Sequence, residues 1–270
     1  KLINQGVAPL EAGKKIFGDL KKLNSEIESY VRRSTLPGMT FIPDALKNGV
    51  EMTVRPLREG EAKIMPSRLR SAIGVTPETA PKVAEEGRRI AALYPNDAAV
   101  QRAVAEMEYD ADNLAQAEIA ADRALAADPE NLMAMAYKGR VYAKRAKKEA
   151  KPELWKDARR WFVKANKLNP DHALPFVLYY DSFIAAGVPA PESAMTGLLR
   201  AIVLVPQDPT INMRIGYARI VQGDLKGARS VLAPVGFNPE NGEDNPAKKL
   251  IAAIDEGQSA QAILAIAKKE

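Results

Sequence analysis

The chain of 270 residues contains no cysteine, which excludes disulfides, thiolate catalysis and cysteine-based zinc sites. It contains one histidine, His172, whereas a dedicated zinc site commonly draws on several His or Cys ligands. His172 follows Pro170 and Asp171 at a helix start, so it is expected in the capping region or on the surface. Aromatic residues make up only 6% of a sequence rich in alanine, a balance that favours close-packed helices over a β-sandwich. No apolar run reaches the roughly 18 residues a membrane-spanning helix needs. Gly-x-Ser-x-Gly, Gly-x-x-x-x-Gly-Lys-Ser/Thr and the dinucleotide-binding glycine triplet are all missing. The paired acids Glu85/Glu86 and Glu106/Glu108 lie in alanine-rich stretches, without the cleft that acid–base catalysis needs to set their pKa values and separation. The expectation is therefore no enzyme activity within these residues, no cofactor and no metal. A catalytic domain upstream of Lys1 stays open.

The length allows one large unit or two domains. The net charge of +5 comes from residues 1–75, with 13 Lys/Arg against 8 Asp/Glu; the other 26 of each sign cancel. Nucleic-acid binding would call for a coherent basic stripe or stacking aromatics. Neither is present, and no nucleic-acid partner is expected. The chain starts at Lys1 rather than methionine and reads as a processed product or a fragment. With the absent cysteines, this slightly favours a periplasmic or exported location over a cytoplasmic one.

What the sequence does contain is punctuation. Pro95, Pro129, Pro170 and Pro206 each close an alanine-rich helix at spacings of 34, 41 and 36 residues, and Pro239 follows 33 further on. A period near 34 is the mark of stacked helix-turn-helix repeats. Asn96–Asp97, Glu130–Asn131 and Asp171 follow the prolines and are placed to cap the next helix. The expected organisation is a small α+β unit over residues 1–75, helical repeats over 76–243 and capping helices over 244–270. In the first unit, Ile16, Leu20, Leu23, Ile27, Tyr30 and Val31 share one face of a helix over residues 10–33. Residues 39–42 and 50–57 read as two short strands, and a short helix is expected over 59–72. Residues 81–94 resemble the second helix of a repeat whose first helix is missing or altered. The tail is expected to form two helices, over 245–255 and 259–268.

Asp112-Asn113-Leu114-Ala115-Gln116-Ala117-Glu118, followed by Ala121, Ala124 and Pro129, resembles the second helix of a tetratricopeptide repeat. Gly139 and Tyr142, then Ala158, Phe162, Ala165 and Pro170, form the next copy, with a seven-residue insertion around 144–155. A third has Phe176, Tyr179, Tyr180 and Phe183, then Ala194, Leu198, Ala201 and Pro206, with Tyr180 where glycine is usual at the tight crossing. A fourth has Ile215, Gly216, Ala228 and Leu232. Small residues let paired helix backbones approach, a larger one fills the hole beside them, and proline stops the helix. The resemblance implies an all-α, right-handed solenoid of about four repeats whose first helices line a concave groove. It implies non-catalytic binding of a protein or peptide.

On that pattern the inward positions are Arg102, Glu106 and Tyr109, then Met133, Ala136, Arg140 and Lys144, then Val177 and Asp181, then Met213 and Tyr217. Arg102, Arg140 and Lys144 are placed to grip carboxylates, so an acidic ligand is one expectation. Tyr109, Met213 and Tyr217 would be apolar anchors. The plainer alternative is that several of these pack against neighbouring helices. Glu106 and Arg140 depart from the asparagine-containing clamp that some of these repeats use for chain-terminal carboxylates. The insertion carries Lys144, Arg145, Lys147, Lys148, Lys151 and Lys156 around Trp155. It reads either as a solvated hairpin extension capped by Trp155 or as an electropositive ridge for an acidic partner or membrane surface.

Phe17-Gly18-Asp19-Leu20 and Val54-Arg55-Pro56-Leu57 also resemble the interdomain stretch of bacterial proteins in which a gluzincin-type metallopeptidase-like domain precedes tetratricopeptide repeats. None of that family's zinc motif is present. This resemblance implies an accessory arm that presents substrates or docks the enzyme. Self-association into a homo-oligomer is a further alternative.

Overall fold

The computed structural model describes residues 2–33, 54–242 and 244–267, and all regular structure among them is helical. Two compact units divide the chain, one spanning residues 55–211 and the other comprising 1–54 with 212–270.

The 55–211 unit is a run of helical hairpins. α3 (Glu59–Ile73) pairs with α4 (Ala80–Leu93), and α5 (Ala98–Asp110) with α6 (Leu114–Ala127). α7 (Leu132–Lys148) pairs with α8 (Leu154–Leu168), and α9 (Ala173–Ala185) with α10 (Glu192–Leu204). The first helices also meet one another, α3 on α5, α5 on α7 and α7 on α9. The helix that the 81–94 segment lacked is thus supplied by α3, altered by Pro66 in its interior.

Helix ends follow local chemistry. α4, α6, α8 and α10 all stop two residues before Pro95, Pro129, Pro170 and Pro206. Asp97 accepts from the Ala99 and Val100 N–H groups at 2.9 and 3.3 Å, and Asn131 from Ala134 N–H at 3.1 Å. At α9 the cap is His172 rather than Asp171: its Nδ1 accepts from Leu174 N–H at 3.3 Å. Asp171 instead pairs with Arg200 at 2.7 Å.

The alanine register sets the packing. Ala117, Ala121, Ala124, Ala158, Ala165, Ala194 and Ala201 are fully buried, and Phe162 and Leu198 nearly so. At Gly139 a Cβ would overlap Cε1 of the Phe162 ring, so only glycine admits that ring. Where Tyr180 replaces the usual glycine on α9, Gly197 on α10 opens the space, and its Cβ position lies 2.8 Å from the Phe176 ring. The insertion lengthens α7 to 17 residues, against 13 in α5. Trp155, only 8% exposed, closes the core at the start of α8.

In the other unit, α11 (Pro209–Val221), from Asn212 onward, pairs with α12 (Leu225–Gly236) through Gly216, whose Cβ would lie 2.5 Å from Leu232. The tail forms α13 (Pro246–Asp255) and α14 (Ala260–Ala267). Leu250, Ile251 and Ile263 join Leu232 in one apolar cluster. Arg229 on α12 forks onto Asp255 of α13 at 2.6 and 2.9 Å. Phe237 lies against Gly6, 3.3 Å from its Cβ position.

The start of the chain departs from expectation. The single helix over 10–33 is broken into α1 (Pro9–Phe17) and α2 (Leu20–Val31). Gly18 takes φ 70°, and Asp19 caps α2 by accepting from Lys21 N–H at 2.9 Å. Among the described residues the small α+β unit is not found: the elements there, α1, α2 and α3, are helical, and the described part of the second expected strand, 54–57, is irregular. Residues 39–42 and 50–53 lie outside the described residues.

Candidate functional site

Five of the expected groove residues come together between α5 and α7. Arg102 Nη1 lies 3.7 Å from Glu106 Oε2 one turn along α5, with both side chains mostly buried. Burial, reinforced by nearby Arg68, makes the Arg102 guanidinium less basic than usual. Tyr109, at the end of α5, meets Tyr137 of α7 edge to face at 5.9 Å. Arg140 lies 4.3 Å from the Tyr109 centroid and 4.8 Å from that of Tyr137, so two rings clasp its guanidinium. Lys144 is 4.6 Å from the Tyr109 centroid and 3.0 Å from Asp112.

Tyr137 was not expected here, yet it organises the cluster. It is 5% exposed, and burial pushes its phenol well above the usual range, with a hydrogen bond to Glu106 acting in the same direction. Its spacing of three from Arg140 on one helix was the available signal. Asp112, in the left-handed conformation at φ 62° between α5 and α6, was also missed. Lys148 and Lys144 both bond its carboxylate, and these bonds hold it below the usual range.

Of the three cations expected in the groove, Arg102 has Glu106 and Lys144 has Asp112. Arg140 has no acidic partner among the described residues.

Met133 packs against the 55–211 core and Ala136 is fully buried. Val177 and Asp181 are half-buried on α9. Met213 and Tyr217 belong to the other unit and pack on its own apolar cluster.

The insertion is partly self-neutralised. Lys144 and Lys148 share Asp112, Arg145 meets Glu118, and Lys151 meets Glu149 at 2.6 Å. Among the described residues Lys147 and Lys156 alone of its six cations have no acidic partner. No group of three or more His, Asp or Glu placed to hold a metal occurs among the described residues. No described helix is long and apolar enough to cross a membrane.

No family model matches the sequence, and no curated protein matches it. Solved structures do. A thermophilic tetratricopeptide-repeat protein of Thermus thermophilus, TTC0263, matches with a TM-score of 0.58 at 15% identity, over 73% of this chain and 99% of that one. PilF of Pseudomonas aeruginosa matches with a TM-score of 0.55 at 13% identity, over 76% of this chain and 90% of that one. The fold is that of a tetratricopeptide-repeat protein.

Proposed function

We propose that the chain is a non-catalytic scaffold that binds a protein or peptide segment along α5, α7 and α9. Arg102, Glu106, Tyr109, Met133, Arg140, Lys144, Val177 and Asp181 form that face. The observation that carries this reading is the Arg140 clasp. A guanidinium within 5 Å of two ring centroids is held by both rings, while its N–H groups, with no acidic partner in the described residues, are left for a carboxylate of the ligand. The charges beside it are already matched within the chain, so an acidic segment gains most at Arg140. The tetratricopeptide fold of the neighbours supports the scaffold class.

The test is fluorescence anisotropy with labelled acidic peptides, comparing the intact chain with Tyr109→Ala. Loss of one wall of the clasp should weaken binding by about tenfold, in line with a desolvated cation–π contact of about 2 kcal/mol. Equal affinity for both proteins, with equal melting temperatures, would place the ligand elsewhere.

A further inference from the structure

A cavity lies on another side of α5. Gln101, Val104 and Glu108 share one face of that helix, whereas Arg102, Glu106 and Tyr109 leave it about 130° further round. The Gln101 face floors a cavity of about 220 Å³ walled by α4 and α6, with Arg88 and Arg123 at its edges. Its two ends differ. Glu108 is fully buried and satisfied, since Arg88 donates to it at 2.6 Å and Asn113 at 2.9 Å. Gln101 is 1% exposed, yet its Nε2 has no hydrogen-bond partner. A buried donor left without an acceptor is costly and rare in folded proteins.

α6 runs back along α5, which brings Arg123 toward the Gln101 end. Arg123 has no acidic partner among the described residues. This end thus offers an amide donor and a guanidinium with no acceptor between them. The stretch leading to it is apolar, walled by Val104 and by Ile119, which is 44% exposed. A short hydrocarbon stem ending in two acceptor oxygens matches that order of groups.

We propose that this cavity is a separate recognition site for a glutamate side chain presented by a peptide or protein partner. Val104 and Ile119 would line the methylenes, and the Gln101 amide and Arg123 would hold the carboxylate. The site does not depend on the Arg140 clasp and would give the scaffold a second point of attachment.

The experiment is an NMR titration of the whole chain that follows the Gln101 side-chain amide and the Ile119 methyls. The probes are acetyl-Ala-Glu-Ala amide, its Ala-Gln-Ala counterpart and glutarate. Saturable shifts with the glutamate peptide are expected, much weaker ones with the glutamine peptide, and weaker binding of glutarate, which lacks the peptide flanks. Arg123→Ala should reduce affinity about tenfold, the value of one charge-assisted hydrogen bond. Gln101→Met, which keeps the volume without the donor, should likewise weaken the peptide affinity read at the Ile119 methyls by about tenfold. Arg140→Ala should change neither, which separates failure here from failure of the clasp. A Gln101 amide that no probe moves would leave ordered water as its partner and overturn the proposal. Glutarate binding as tightly as the peptide, or an unchanged affinity in Arg123→Ala, would overturn it too.

Discussion

The hairpin of α7 and α8 and the hairpin of α1 and α2 carry the same apolar spacing in sequence and have opposite fates. In the first, Ala158, Phe162 and Ala165 disappear from solvent and Gly139 lets the Phe162 ring lie against its backbone. In the second, only Ala12 is buried, while Ile16, Ile27 and Val31 remain 66%, 51% and 70% exposed. Periodicity marks a face, but burial needs a second surface shaped to receive it. Small residues in register on both helices supply that surface for α7 and α8, and stacked neighbours on either side extend it. Between α1 and α2 a Gly13 Cβ would only reach van der Waals distance, 3.6 Å from Leu20.

The largest test of that contrast is a matched pair of glycine substitutions. Gly139→Ala forces a methyl into the Phe162 ring and should lower stability by about 3 kcal/mol in urea denaturation. Gly139→Ala with Phe162→Leu should recover part of the loss. Gly13→Ala meets no such obstacle, and should slow hydrogen exchange in α1 by the few tenths of a kcal/mol to about 1 kcal/mol that alanine gains over glycine. Equal losses from both would mean that the two hairpins are packed alike.

Ion pairs sharpen the comparison next. Arg88→Ala leaves the fully buried Glu108 carboxylate with Asn113 as its remaining side-chain donor and should cost about 3 kcal/mol in the same assay. Arg32→Ala removes an exposed pair with Glu28 at 3.9 Å and should change stability by less than about 0.5 kcal/mol.

A smaller, pH-dependent effect is expected at Glu61. The Arg55 hydrogen bonds, then the Arg58 N–H, hold its pKa down at about 2. Because the folded value lies below the unfolded one, the stabilisation is complete above the ordinary carboxylate range and fades as pH falls toward 2. Glu61→Gln should therefore flatten the decline of stability between about pH 5 and pH 2. An unaltered slope would show that the Arg55 pair contributes nothing. The smallest effect belongs to the exposed stripe, where Ile27→Ser should change the unfolding free energy by no more than about 0.5 kcal/mol in urea denaturation.

Much of the repeat fold was legible because its signals are local. Prolines end helices whatever surrounds them, and alanine at a crossing reports on two backbones at once. Ala117, Ala158, Ala194 and Ala228 were therefore placed correctly as buried contacts. The break at Gly18-Asp19 was masked by an apolar stripe that runs through it in register. α3 was separated from the repeats because the Gly74-Val75-Thr76-Pro77 stretch resembles a boundary, whereas its contacts with α4 and α5 are long-range. In the candidate site the cations, Glu106 and Tyr109 were found, but Asp112 and Tyr137 were not. Asp112 reaches Lys144 and Lys148 from a turn some thirty-five residues earlier, and Tyr137 faces Tyr109 across two helices. Such pairings depend on how hairpins stack, which spacing within one helix does not encode.

The proposed scaffold function requires that a ring-held arginine, and not net positive charge, capture an acidic segment. Titration calorimetry of one acidic peptide against Arg140→Ala and Arg160→Ala tests it directly, since both variants lose one positive charge and Arg160 lies exposed beside Asp157. Affinity is expected to drop at least about tenfold in Arg140→Ala and to stay at the parental value in Arg160→Ala. Equal losses in the two variants would contradict it.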